Sequence, residues 1–390
     1  MKILRVISSM NPTSGGPCQG IRNAIPTLRL LGVECEVVCL DSPNADFLGE
    51  DSFTIHAVGV ARSGWGYQKN LYPWLLEHLG NYDVVIIHGL WLYHSHATIK
   101  AVKKIRKNNN VAPKVFVMPH GMLDPYFQLA KERRVKAIRN TLYWRFIENW
   151  VVNKADGVLF TCEEELFLAR TTFPNYHPKR EINVGYGIQT PPDFDPAMKE
   201  AFQLQVPDWN QEPFLLFLSR IHNKKGVDLL IDAYLALEKE IGPLPQLIIA
   251  GPGLEEDYGK AMLASANASK NILFPGMLRD KTKWGAFYLS EAFVLPSHQE
   301  NFGIAVAEAL ACEKAVLIST KVNIWREIDK GRGGIIAQDD ADGTLSLLKS
   351  WFKLSSNEKL EMSKAAKKVF EEHFTITEAA EQFLSGIQNA

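Results

Sequence analysis

Glu300 and Glu308 stand eight positions apart in Pro296-Ser297-His298-Gln299-Glu300-Asn301-Phe302-Gly303-Ile304-Ala305-Val306-Ala307-Glu308-Ala309-Leu310. Spacing alone carries little, because glutamate is common enough for such a pair to arise by accident. Their setting carries more. Leu295 closes an apolar run that reads as a strand, Gly303 frees the backbone for a turn, and Ala305, Ala307 and Ala309 suit a close-packed helix. A helix starting near Phe302 directs its unpaired amides, and the positive end of its dipole, at an anion docked there. A phosphate fits that description.

Other residues with chemistry to offer fall at predicted strand ends. Arg220 follows Ser219, and Lys224-Lys225-Gly226 comes four residues later, which places fixed positive charge where a phosphate would dock. Pro119-His120-Gly121-Met122-Leu123-Asp124-Pro125 follows the strand 114–118, and His88-Gly89-Leu90-Trp91 follows another. Gly15-Gly16-Pro17 comes after the first strand. Each has a plain structural reading: surface cations, core histidines, a glycine turn.

Taken together and in this order, these segments resemble the retaining glycosyltransferases of family 4, with their Glu-x7-Glu element. The resemblance spans nearly the whole chain and implies the GT-B fold, two Rossmann-like α/β domains with parallel sheets facing across a cleft. It implies a hexose, glucose by preference, moved from a UDP-sugar to a saccharide or lipid-linked saccharide without a metal or other cofactor. His120, Glu300, Arg220 and Lys225 are then the catalytic group. Arg220 and Lys225 meet the leaving diphosphate, Glu300 sits beside the donor sugar, and His120 lies near its 6-hydroxyl. Glu308 takes the ribose hydroxyls. Gly16, Gly251 and the backbone of Asn301, Phe302, Gly303 and Ile304 approach the diphosphate and sugar, while Met277 and Leu278 lie where backbone reads the base. Retention would follow from front-face attack, with a diphosphate oxygen taking the acceptor's proton.

Length and composition agree with such a protein. With 390 residues, 46% hydrophobic and 22% charged, the chain can build two cores, and a formal charge of −1 gives no global field for nucleic acid. Five scattered cysteines suit reduced, buried thiols in a cytoplasmic protein. Strand-like runs at 3–8, 36–40, 84–88, 114–118 and 157–161 alternate with helical patterns. After the proline-rich stretch 190–213 the rhythm restarts at 214–219, 246–250, 271–274, 292–295 and 315–319. Domains are expected at 1–195, with a last helix in 375–390 crossing back, and at 196–374. Asp193-Phe194-Asp195 falls in the proline-rich stretch, a poor setting for a metal-binding Asp-x-Asp.

The acceptor side is fainter. His88, Trp91 and Tyr93, with Gly64-Trp65-Gly66-Tyr67, offer a histidine and stacking aromatics for a saccharide, though burial explains them equally well. Residues 128–150 mix Lys131, Arg133, Arg134, Lys136, Arg139 and Arg145 with Tyr143, Trp144, Phe146 and Trp150, a composition suited to peripheral contact with an anionic bilayer. No apolar run reaches the roughly 20 residues of a spanning helix. A UDP-sugar epimerase, a phosphorylase of the same fold and a non-catalytic nucleotide-sugar-binding protein are the alternatives. Ile249-Ala250-Gly251-Pro252-Gly253 lacks the full dinucleotide fingerprint, which weakens an NAD reading.

Overall fold

Short runs of valine, isoleucine and leucine form the strands of two parallel sheets in a computed structural model that describes residues 1–108, 112–130 and 133–390, the side chain of Ser14 aside. The chain divides into two units, Met1–Gly187 with Ile376–Ala390, and Ile188–Thr375.

The first unit holds β1 (Lys2–Val6), β2 (Glu34–Cys39), β3 (Ile55–Ala57), β4 (Val84–His88), β5 (Lys114–Met118), β6 (Gly157–Phe160) and β7 (Glu181–Asn183), in the order β3-β2-β1-β4-β5-β6-β7. Helices cover both faces, so a central strand such as β4 is buried at every position and reads as an unbroken apolar run. The chain winds outward from β1 to β3 and resumes at β4. The order therefore reverses between β1 and β4, where open α/β sheets form their ligand crevice. The last helix, Ile376–Gln388, buries Ala380, Phe383 and Ile387 in the core beneath β1 and β4. Burying Phe383 and Ile387 contributes on the order of 1.5–3 kcal/mol each, enough to tie the chain end to this unit.

The second unit repeats the plan with β8 (Phe214–Leu218), β9 (Leu247–Ala250), β10 (Ile272–Gly276), β11 (Ser290–Leu295), β12 (Ala315–Ser319) and β13 (Gly334–Ala337), in the order β10-β9-β8-β11-β12-β13. Its reversal lies between β8 and β11. Arg220 follows the first of these strands and Glu300 the second.

Three details differ from expectation. The first unit closes at Gly187 rather than 195, because Ile188 bridges to Thr375 and residues 196–205 form a helix of the second unit, capped by the Asp195 carboxylate. Strands β3 and β7 were not foreseen, being three-residue edge strands too short for a periodic signal. The basic stretch 128–150 begins in a separate short helix, Tyr126–Leu129, and continues in a longer one that runs without a break through Arg134–Tyr143, a π-helical turn Trp144–Glu148 and Asn149–Lys154. Lys131 lies outside the described residues.

Candidate active site

In the second unit, the turn after β8 and the turn after β11 are sewn together. Gly226 stands at φ +67°, and a Cβ there would come 2.2 Å from the Pro296 carbonyl oxygen, so only glycine lets the two turns approach this closely. Ser297, fully buried, bonds the Lys224 carbonyl at 3.0 Å, and the His298 amide donates to the same oxygen at 2.8 Å. Lys225 is thereby carried into the interior, 5% exposed, where its ammonium pairs with Glu300. The backbone of Glu300 is held in turn, its amide donating to the Lys321 carbonyl at 2.8 Å and its carbonyl accepting from Asn323 at 2.9 Å. Arg220 differs: it is exposed and, among the described residues, makes no ion pair.

Gly303, at φ +80°, is the N-cap of the helix Ile304–Ala311. The helix thus begins two residues later than expected. Val306 and Ala307 already donate to the Gly303 carbonyl, whereas the N–H groups of Ile304 and Ala305 precede any intrahelical acceptor. Glu308 lies on the second turn, half-buried, and accepts from Lys283 at 2.8 Å. Burial pushes its pKa up, and Lys283 pulls the other way. The Gly251 amide donates to the Gly276 carbonyl at 2.8 Å, joining the ends of β9 and β10; beyond them Met277 is exposed and Leu278 buried. The second unit therefore gathers fixed cations, two partnered carboxylates and helix-end amides at its reversal point. Such a set can receive a diphosphate and hydrogen-bond sugar hydroxyls.

In the first unit, Gly16 opens the helix Gly16–Leu30 behind its cap Gly15 and is exposed. His120 lies just past β5 at φ +52°, a left-handed backbone that the protein must impose on a non-glycine residue. What imposes it is Glu165, 3% exposed, which accepts from the Gly121 amide at 2.5 Å and from the Thr161 amide and hydroxyl at 2.8 and 2.6 Å. His88 does not present itself to an acceptor as expected. It is 3% exposed beneath His120, with its Nδ1 2.9 Å from His120 Nε2 and its Nε2 3.2 Å from Arg5 Nη1. Trp91 leans on Phe173, and its amide donates to the buried Glu148 at 2.9 Å. Tyr93 packs against Trp65 and Tyr67 with centroids 5.2 and 4.8 Å apart, a partly exposed aromatic group.

Sequence reasoning missed Lys283, Glu165, Glu148 and Arg5. Only Arg5 carried a signal, as a charge inside the apolar run of β1.

Two family profiles match the chain, a glycosyl transferase 4-like domain over residues 15–180 and glycosyl transferases group 1 over residues 199–369. The chain belongs to the GT-B glycosyltransferases, as a family 4-like member. This glycosyltransferase is 29% identical over 181 residues to O-antigen chain mannosyltransferase C of Escherichia coli, covering 44% of this chain and 46% of that one. It is 28% identical over 209 residues to alpha-maltose-1-phosphate synthase of Mycolicibacterium smegmatis, covering 51% and 52%. The chain thus spans about half the length of these curated relatives. Among solved structures, sucrose-phosphate synthase of Thermosynechococcus elongatus superposes with a TM-score of 0.74 at 18% identity, covering 100% of this chain and 98% of that one. HepE of Anabaena, solved in complex with UDP, does so with 0.74 at 14% identity and full coverage of both. At these identities the likeness is one of fold.

Proposed function

We propose that this glycosyltransferase moves a hexose, glucose by preference, from a UDP-sugar to a saccharide or lipid-linked saccharide with retention of configuration and without a metal ion. The observation that carries the reading is the pairing in the second unit of a buried cation, Lys225, with Glu300, beside exposed Arg220 and the helix-end amides of Ile304 and Ala305. As the bond to the anomeric carbon breaks, charge grows on the departing diphosphate, and these donors answer it without reorganising. Of the first unit, we assign His120 to the sugar and the Trp65, Tyr67 and Tyr93 group to the acceptor, from their chemistry alone. HepE has been solved with UDP-glucose, which supports the choice of donor. The mannosyltransferase among the relatives makes a mannose donor the competing outcome.

The test pairs binding with turnover. Bound UDP should raise the melting temperature, by mass action, more than GDP, ADP or NAD does. UDP-glucose should release UDP in the presence of oligosaccharide acceptors and of EDTA, with the anomeric configuration kept in the product by NMR. Stabilisation by NAD alone, or release abolished by EDTA, would end this reading.

A lipid-linked acceptor implies work at a membrane surface. On Arg134–Tyr143 and the turn after it, Val135, Ile138, Leu142 and Phe146 are 83%, 65%, 53% and 72% exposed, among exposed Arg134, Lys136, Arg139 and Arg145. That apolar stripe with basic flanks suits an anionic bilayer. The protein is expected to float with phosphatidylglycerol vesicles at low salt and to stay behind after Ile138→Glu with Phe146→Glu. Equal flotation of both would remove the membrane contact.

A further inference from the structure

Arg5 is 4% exposed inside the first unit, and no carboxylate pairs with it among the described residues. Its guanidinium rests over the ring of Phe383, 5.2 Å from the centroid, and among the described residues its Nε has no hydrogen-bond partner. A buried, uncompensated charge is costly, and a fold that keeps one uses its field or its hydrogen bonds. Arg5 meets the Cys35 thiol, and its Nη1 lies 3.2 Å from His88 Nε2. A cavity of about 50 Å³, lined mainly by apolar groups, adjoins Arg5, His88 and His120.

Donor and acceptor logic fixes the protons along this row. Arginine only donates, so His88 Nε2 accepts. A neutral His88 then carries its proton on Nδ1, and the 2.9 Å contact with His120 Nε2 is a bond that His88 donates. His120 Nε2 accepts, and its own proton resides on Nδ1. His94 anchors the row from below, its Nε2 2.9 Å from the His88 carbonyl, which can only accept. We infer that Arg5, acting through His88, holds His120 as the Nδ1–H tautomer, so that the ring turns a hydrogen-bond donor toward its ligand.

Arg5 and His88 are positioning residues in this arrangement. The charges facing His120 point the same way: burial first, and then the Arg5 field, push its pKa down to about 4, while His88 and His94 are held neutral chiefly by burial. His120 is therefore an uncharged donor, suited to a hydroxyl or other neutral oxygen of the substrate. That last step rests on the hexosyltransferase reading. The tautomer itself does not.

The experiment is long-range 1H–15N correlation on the full chain labelled at histidine nitrogen, without ligand, at pH 7. Wild-type His88 and His120 should both show a protonated Nδ1 and a bare Nε2, whereas free imidazole side chains favour the opposite form. Arg5→Met should return His120 toward the Nε2–H form and raise its pKa, and Arg5→Lys, which restores a donor, should recover the wild-type pattern. In turnover, Arg5→Met should lower kcat roughly 3–10-fold, as the loss of one aligned hydrogen bond implies, with KM changed less. A protonated Nε2 on wild-type His120 overturns the inference, whether or not any variant folds. So does an Arg5→Met spectrum identical to wild type. If the tautomers are found as stated but no nucleotide sugar is consumed, the relay stands and the proposed function falls.

Discussion

Replacing Lys225 by methionine is expected to lower kcat roughly 10²–10³-fold, the loss seen when one preorganised donor to a developing anion is removed. Methionine fills the buried channel of the lysine stem, so the loss should be chemical rather than structural. The effect belongs in kcat more than in KM, because the diphosphate carries more charge in the transition state than in the bound donor. Arg220→Ala should behave alike, with less structural risk still, since Arg220 is exposed and takes part in no ion pair among the described residues. Glu300→Ala is a different experiment: it strands a buried ammonium, which costs about 3–5 kcal/mol, so lost activity there would come with a lower melting point. Steady-state kinetics beside thermal melts separate these cases. Wild-type turnover by Lys225→Met or Arg220→Ala would remove the diphosphate assignment.

The pairing of Lys225 with Glu300 shows what a sequence can and cannot display. Both residues stood out, each at a strand end, because the strand–turn–helix rhythm of a parallel sheet marks its carboxyl edge in the order of apolar runs and glycines. That they neutralise each other did not, since 75 positions separate them and their turns meet through the Gly226 approach to Pro296 and the bonds of Ser297 and His298 to Lys224. Lys283 eluded reasoning for the same reason. It lies in the helix Asp280–Leu289, and nothing local marks it as the partner of Glu308. A bond between distant segments leaves no period.

The first unit makes the same point through its histidines. His88 and His120 were visible as strand-end residues, yet their division of labour was not: β4 and β5 align His88 with Met118, so His88 ends the strand in the core while His120, two residues further along, emerges from it. Register, which pairing decides, set which of the two is buried and which emerges. The domain boundary was misplaced because proline density marks where helices cannot run, whereas the division lies where contacts change hands. Asp195-Pro196 begins a helix rather than ending a domain.

Glu148→Gln is expected to stabilise the protein at pH 8 and to leave it nearly unchanged at pH 5. Glu148 is fully buried, and burial raises its pKa to about 8, with the Trp91 amide and Ser95 hydroxyl opposing the shift. Its bonding fits a neutral acid. Ser95 has one hydroxyl proton, which the Leu92 carbonyl accepts at 2.8 Å while the Glu148 oxygens compete for it from 3.2 and 3.4 Å, so an ionised carboxylate gains little from this hydroxyl. The folded pKa lies above the unfolded one. The stabilising contribution is therefore complete below the ordinary carboxyl range and is lost as pH rises through about 8. Each pH unit inside that window costs up to about 1.4 kcal/mol, which puts the wild-type penalty at pH 8 on the order of 2–4 kcal/mol after allowing for relaxation. Glutamine keeps the oxygen that receives the Trp91 amide and has no charge to bury. Calorimetry should show Glu148→Gln melting roughly 5–10 °C above wild type at pH 8, with the gap closing toward pH 5. A difference independent of pH would mean that Glu148 is ionised and solvated in the folded state, and the Trp91 turn would then be held by a charged bond instead of a neutral one.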